Sequence, residues 1–221
     1  MARSELVLGS RSLSGMIFDL DGTLTDTVPI SFAAFRTAVA QFTDRRFTDA
    51  ELIAFFGPSE DGILRQLLPQ HWQPCFECYL AEYAARHAGR PVLFPGIETA
   101  LDLLAASDMR LAIVTGKSQR ATAITLEHAN ISRFFDAIEA GSAEAGIKPR
   151  SIRKVLARWG LQESRVAYVG DAIYDMQAAS AAGVPGIGAA WGGTTGIDAL
   201  KAAGAALTFD TVEGFLGWLH P

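Results

Sequence analysis

Short apolar runs alternate with segments of helical periodicity through most of this sequence, and this alternation limits the possible fold more than any other feature. Such runs predict strands at residues 111–114, 135–139, 166–169, 184–188 and 206–209. The segments between and beside them predict helices at residues 97–106, 119–129, 152–159, 173–182 and 212–219. Strands that alternate with helices predict a parallel sheet covered by helices on both faces.

An additional apolar run, at residues 16–18, predicts a buried strand far ahead of this alternation. Between the two, residues 28–91 contain no convincing strand but several amphipathic helical patterns. Phe32, Phe35 and Val39 recur at helical spacing, and Thr48 begins a cap-like sequence for another helix. We therefore predict an α/β core, a Rossmann-like parallel sheet formed by residues 1–27 and 92–221. A small all-helical domain, residues 28–91, is inserted after its first strand.

The net charge excludes some classes of partner. The chain has a formal charge of −5 and a calculated pI near 5.4. An acidic protein is a poor match for nucleic acid or an anionic membrane, so we expect neither as a partner. Residues 1–14 contain no apolar stretch of signal-peptide length, and no run is long enough to span a bilayer. These features predict a cytoplasmic protein.

The two cysteines, Cys75 and Cys78, have the spacing of a redox pair or half of a zinc site. Zinc would need two more ligands, and only His71 and His87 lie nearby. No βαβ pattern surrounds the pair, which argues against a thioredoxin-like role. We expect both thiols to pack as small apolar side chains. The scattered histidines and the lack of a GxSxG motif also argue against a Ser-His-Asp hydrolase.

Polar residues follow three of the predicted strands, and parallel sheets bind ligands at that edge. Asp19 and Asp21 follow the first strand, with Gly22 directly after them. Buried carboxylates need a partner, and a divalent cation such as Mg²⁺ suits oxygen ligands. An ordinary strand ending in an Asp-Gly turn is the alternative interpretation.

A possible anion site follows the strand at residues 111–114, where the sequence is Thr115-Gly116-Lys117-Ser118. A hydroxyl, a glycine amide and the start of a helix can bind an anion together. A nucleotide-binding P-loop is excluded because Leu111 stands where its first glycine is required.

A third group of candidates follows in the next two loops. Lys148, one of only four lysines, precedes Pro149, which predicts that its side chain extends from a loop. A plain surface lysine is the alternative. Asp171 ends a predicted strand and Asp175 lies one helical turn later. The alternative interpretation of this pair is a helix with an acidic first turn. Two pairs of acids around one cleft predict a divalent cation.

Taken in order, these residues resemble the four motifs of the haloacid dehalogenase-like hydrolases. The helical insertion resembles the cap of the subgroup that contains phosphoglycolate phosphatases and phosphoglucomutases. The matching segments are Asp19-x-Asp21-Gly22-Thr23-Leu24, the strand ending in Thr115-Gly116, Lys148-Pro149 and Gly170-Asp171-x-x-x-Asp175.

The resemblance implies a role for each motif residue. Asp19 would attack the phosphorus of a monoester, and Asp21 would protonate the leaving oxygen and later deprotonate water. Mg²⁺ would bind Asp19, the backbone carbonyl of Asp21 and Asp171. Thr115, the Gly116 amide and Lys148 would bind the phosphoryl oxygens, and Asp175 would orient Lys148 or a metal-bound water.

The implied substrate is a small phosphorylated metabolite, selected by the cap. The resemblance places specificity residues near Ser59 and Glu60, with Arg65 behind them, while Arg45 and Arg46 are further candidates for binding a carboxylate. Cap movement about residues 25–29 and 94–96 would admit substrate and exclude water. A monomer or homodimer is expected.

The same residues argue for or against other activities found in this family. The presence of Asp21 argues against a haloacid dehalogenase, and the lack of lysine in residues 28–91 argues against a phosphonoacetaldehyde hydrolase. A pyrophosphatase or a sugar phosphomutase remains an alternative. A non-catalytic protein that binds a phosphorylated ligand ranks below both because no motif residue is missing.

Overall fold

Six parallel strands form the centre of this computed structural model, which describes residues 6–220. Their order is β5-β4-β3-β6-β7-β8, so the first strand of the sheet in sequence, β3, lies between β4 and β6. A two-stranded antiparallel hairpin precedes them. The strands are β1 (Val7–Leu8), β2 (Arg11–Ser12), β3 (Gly15–Phe18), β4 (Arg110–Ser118), β5 (Ala137–Gly141), β6 (Val166–Gly170), β7 (Gly186–Ala189) and β8 (Ala205–Phe209).

Helices cover both faces of the sheet, which confirms the predicted α/β class. Alternate residues of a strand point to opposite faces, so Met16 and Phe18 of β3 pack into one core and Ile17 into the other. The helices are α1 (Val28–Val39), α2 (Asp49–Ala54), α3 (Glu60–Leu67), α4 (Trp72–His87), α5 (Ile97–Ala106), α6 (Gln119–Ala129), α7 (Lys148–Trp159), α8 (Ile173–Ala182), α9 (Ile197–Ala202) and α10 (Val212–Leu219). None of those described is long and apolar enough to cross a membrane.

Helices α1 to α4 pack around a separate core in which Tyr79 and Tyr83 are fully buried. Ala121 of α6 contributes to this core, so the helical insertion rests directly on the α/β core. The chain enters and leaves the insertion side by side, since the Asp26 amide donates to the Val92 carbonyl at 2.8 Å. The domain limits at residues 27/28 and 91/92 remain predictions.

Several element boundaries differ from the sequence predictions. The hairpin β1–β2 and the short helix α9 were not predicted, since two-residue strands and a six-residue helix carry almost no periodicity. Pro74 predicts a helix that begins at that residue, whereas helix α4 begins earlier, at Trp72. The prediction that Lys148 lies in a loop is wrong, because Lys148 is the first residue of α7. Pro149 is tolerated there because amides in the first turn have no intrahelical partner.

Candidate active site

The carboxyl ends of β3, β4 and β6 meet at one edge of the sheet. Phe18 is in register with Ile113 on one side and Val169 on the other, so the residues that follow these positions are neighbours. Most of the site residues predicted from the sequence line one cleft in the structure: Asp19, Asp21, Thr115, Gly116, Lys148 and Asp171.

Three buried aspartates form a cluster that fits a metal ion. Carboxylate oxygens of Asp19, Asp171 and Asp175 lie within 4.8 Å of one another. Oδ1 of Asp19 is buried and has no hydrogen-bond partner within the described residues. Burial raises the pKa of Asp19, and burial together with the charges of Asp175 and Asp19 raises that of Asp171 well above its usual range. An all-oxygen set with excess negative charge and an unpaired atom fits a hard divalent cation.

Lys148 links the nucleophile candidate to the second acid pair. Its Nζ lies 2.9 Å from Asp19 Oδ2 and 2.5 Å from Asp175 Oδ1. Burial alone would lower the pKa of this lysine, but the charges of Asp175 and Asp19 hold it well above its usual range, so the ammonium stays protonated. Asp175 is fixed in turn by the Ala172 amide, which donates to its Oδ2 at 2.9 Å.

The Asp-Gly turn after β3 lies directly against Asp171. Gly22 has a φ of +79°, and a Cβ at this position would lie 2.3 Å from Asp171 Oδ2. Thr23 donates from its hydroxyl to Asp171 Oδ1 at 3.0 Å, and the Trp191 indole donates to the Thr23 carbonyl at 2.9 Å. Only glycine therefore permits both the backbone conformation and the close approach of the loop to the acid cluster.

Asp21 faces away from this cluster, towards Lys117. Lys117 Nζ lies 3.0 Å from Asp21 Oδ2 and 3.2 Å from Glu60 Oε1 of the helical insertion. The hydroxyl of Thr27 also donates to Asp21. The sequence analysis considered Lys117 only as part of a P-loop, which it excluded, and predicted no role for its side chain. The scarcity of lysine in the chain was the signal that could have identified it.

Glu60 holds the insertion against the strand end of β4. It accepts from the Ser118 amide at 2.7 Å through Oε2 and from the Tyr79 hydroxyl at 3.0 Å through Oε1. Beside it, the Ser59 amide donates to the Ser142 carbonyl at 2.8 Å. The insertion is thus in contact with the core at the mouth of the cleft.

Of the three cap residues predicted near the substrate, the structure brings only Glu60 to the cleft lining. Ser59 is buried and donates to Asp61 at 2.6 Å. Arg65 lies over the Trp72 ring, 4.0 Å from its centroid, with half of its side chain exposed. Arg45 lies over Phe47 and does not line the cleft, and neither does Arg46.

The cysteine pair lies away from this site. Both thiols are free, and Cys75 is buried in the core of the insertion. Burial and the neighbouring Cys78 raise the pKa of Cys75 to about 11, which keeps it as an unreactive thiol.

A parallel α/β sheet with acids, a hydroxyl and buried lysines in the cleft at its strand ends has the groups needed to bind an anionic substrate and a cation. The chain belongs to the haloacid dehalogenase-like hydrolase family, whose model matches residues 16–189. This match confirms the resemblance identified from the motifs.

Similar proteins agree with the family assignment. The chain is 32% identical to a phosphoglycolate phosphatase of Agrobacterium fabrum over 84% of each sequence. It is 33% identical to the "Probable phosphatase IndB" of Dickeya dadantii over 93% of each sequence. In structure it resembles a predicted phosphoglycolate phosphatase from Haemophilus somnus, with a TM-score of 0.79 at 20% identity, over 95% of this chain and 99% of that one.

Proposed function

We propose that this protein is a metal-dependent phosphatase in which Asp19 is the nucleophile towards a small phosphate monoester. Family membership and the named phosphatase relatives support the phosphatase class. The observation that carries the proposal is the position of Asp19, between the Lys148 ammonium and the carboxylate of Asp171 at the end of the central strand.

The proposed reaction has two steps. Asp19 forms a bond from a carboxylate oxygen to phosphorus as the ester P–O bond breaks, and Asp21 gives its proton to the departing alkoxide. Asp21 then removes a proton from water, whose oxygen attacks the phosphorus and releases inorganic phosphate and free Asp19. Asp21 suits this role because it lies outside the three-aspartate cluster and lines the same cleft as Asp19.

A divalent cation, which we propose to be Mg²⁺, would be held by Asp19, Asp171 and the backbone carbonyl of Asp21, with Asp175 adjacent. When bound, it would neutralise the charges of the carboxylate and the phosphoryl group as they approach each other. The Asp19 Oδ1 atom, which has no partner among the described residues, supports this assignment.

Thr115, the Gly116 amide and Lys148 would bind the phosphoryl oxygens. Thr115 is buried at the cleft, and its hydroxyl accepts from the Lys117 amide at 3.2 Å, which leaves the hydroxyl proton available for an anion. Asp175 would position Lys148 through their 2.5 Å contact. A fixed ammonium is worth more to the transition state than a mobile one because it needs no reorganisation.

The test is Mg²⁺-dependent hydrolysis of p-nitrophenyl phosphate by the wild type and by Asp19→Asn. We expect turnover in Asp19→Asn to fall to background, while the exposed helix variant Asp102→Asn retains wild-type turnover. Unchanged turnover in Asp19→Asn would contradict the mechanism. Hydrolysis of pyrophosphate, or isomerisation of a hexose phosphate, in preference to monoester hydrolysis would favour the alternative activities. Ligand binding without turnover would favour a binding protein.

A cytoplasmic location and a monomeric or homodimeric state are also part of this proposal. Gel filtration with light scattering would test the oligomeric state.

A further inference from the structure

The cleft has two chemically different halves. Its floor is formed by the polar strand ends described above, whereas the wall contributed by the helical insertion is largely apolar. The apolar wall consists of Val28, Phe32 and Phe35 of α1, Leu52 of α2, Ile63 of α3, and Phe55, Phe56 and Pro58 between α2 and α3.

The insertion offers no cation to this wall. Residues 28–91 contain six arginines and no lysine, and none of the arginines lines the cleft. Most of their side chains make contacts elsewhere. Arg36 pairs with Asp49 and Arg86 with Glu82. Arg65 lies over Trp72, Arg45 lies over Phe47, and Arg46 donates to the Asp44 carbonyl. A carboxylate or second phosphate on the leaving group would therefore find no positive side chain of the insertion.

The charges that do line the cleft also disfavour a second anion. Among residues 6–220, two lysines line the cleft, Lys117 and Lys148, together with four acids: Asp19, Asp21, Glu60 and Asp171. Each lysine already lies within 3.2 Å of two carboxylates. One divalent cation and one phosphate dianion would cancel each other, so negative charge would remain around the leaving group.

We infer that the substrate is a phosphate monoester whose alcohol part is uncharged and mainly apolar. This inference rests on the proposed function and specifies its substrate class. The phosphate binds at the strand ends, and the alcohol part replaces water against the phenylalanine-rich wall. Several relatives are named phosphoglycolate phosphatases, and the leaving group of phosphoglycolate carries a carboxylate, which in this binding mode would face the apolar wall and Glu60.

A matched pair of substrates tests the inference: benzyl phosphate and 4-carboxybenzyl phosphate, which differ in one remote charge and have similar intrinsic reactivity. With Mg²⁺ and the wild type, we expect kcat/KM to be about tenfold or more higher for benzyl phosphate, in line with the energy of an apolar pocket contact. Equal rates, or faster hydrolysis of the carboxylate or of 2-phosphoglycolate, would overturn the inference while leaving the phosphatase proposal intact. Hydrolysis of none of these esters would instead refute the proposed function.

Substitutions at two positions test whether the apolar wall causes the difference in kcat/KM. Phe56 lines the cleft and packs on Phe32 with ring centroids 6.0 Å apart, while Ile53 is equally exposed, at 43%, and does not line it. We expect Phe56→Ser to lower the kcat/KM ratio of benzyl to 4-carboxybenzyl phosphate, and Phe56→Arg to lower it further. Ile53→Ser should leave the ratio unchanged. A ratio insensitive to Phe56→Arg, or one that Ile53→Ser changes equally, would contradict the proposed wall. Because the readout is a ratio, partial unfolding of a variant does not affect it.

Discussion

Lys117 Nζ lies 3.0 Å from Asp21 Oδ2, so the proposed proton donor is paired with a buried ammonium rather than with the three aspartates proposed as the metal site. The same ammonium lies 3.2 Å from Glu60 Oε1 and 4.3 Å from the centroid of the Tyr83 ring. One side chain of the core thus contacts both Asp21 on the floor of the cleft and the helical insertion.

Removal of the Lys117 ammonium should strongly destabilise the folded protein. Lys117→Met leaves Asp21 and Glu60 without their cation in a buried setting, and we expect the free energy of unfolding to fall by about 3–5 kcal/mol. Urea denaturation measures this change, with the exposed lysine variant Lys201→Met as the control. In the double variant Lys117→Met/Glu60→Gln, the loss should be smaller than the sum of the two single losses. A fully additive result would contradict the pairing.

Glu60 should make stability depend on pH in a defined direction. Burial opposes its ionisation, but the Lys117 charge and the Ser118 amide outweigh it and hold the pKa of Glu60 below its ordinary value of 4.5. A carboxyl with a lowered pKa contributes stability that is fully present above pH 4.5 and is lost as the pH falls through the folded-state value. We expect the difference in unfolding free energy between wild type and Glu60→Gln to shrink in that acidic range. A difference that stays constant there would show that the charge of Glu60 is unimportant.

Gly22→Ala should disrupt the proposed metal site. A methyl group at this position meets Asp171 Oδ2 at 2.3 Å, whereas a methyl group at Gly193, which has a similar φ of +72°, would meet no atom of the described residues within 4 Å. Both substitutions carry the same backbone strain, about 1 kcal/mol. We expect Mg²⁺ to raise the melting temperature of the Gly193→Ala variant, as in the wild type, but not that of the Gly22→Ala variant. Equal Mg²⁺ stabilisation in the two variants would argue against Asp171 as a ligand.

Lys148 and Lys154 lie on the same helix and provide a matched pair. Lys148 is buried against Asp19 and Asp175, while Lys154 pairs with Glu139 and is 69% exposed. Lys148→Met should lower kcat/KM for p-nitrophenyl phosphate by about a hundredfold or more, the effect of removing one fixed donor from an anion site. Lys154→Met should change it little. Similar effects of both substitutions would contradict the proposed phosphate contact.

The sheet and most of the cleft floor could be predicted because their signals are local. In the sequence, each of Asp19, Thr115 and Asp171 comes at or just beyond the end of a short apolar run, and parallel strands bring their carboxyl ends to the same edge of a sheet. In the structure, Phe18 is in register with Ile113 and Val169, so these three strands reach that edge together.

Contacts between distant segments were not predictable in the same way. Glu60 and Lys117 are 57 residues apart, and no pattern within either segment indicates that they meet. Arg65 resembled a substrate ligand by its position in the sequence, yet its guanidinium stacks on Trp72. The direction of a long side chain depends on tertiary packing, which the sequence alone does not express.

The two backbone crossings between the core and the insertion lie side by side, with Thr25 bridged to Leu93. A segment whose ends are neighbours can be exchanged for another of different length without moving the strands beneath it. We expect that replacing residues 28–91 by the corresponding segment of a relative would change which alcohol part the protein accepts and leave the strand ends unchanged. The new segment would also need side chains that pair with Lys117, because Glu60 lies in the segment that is replaced.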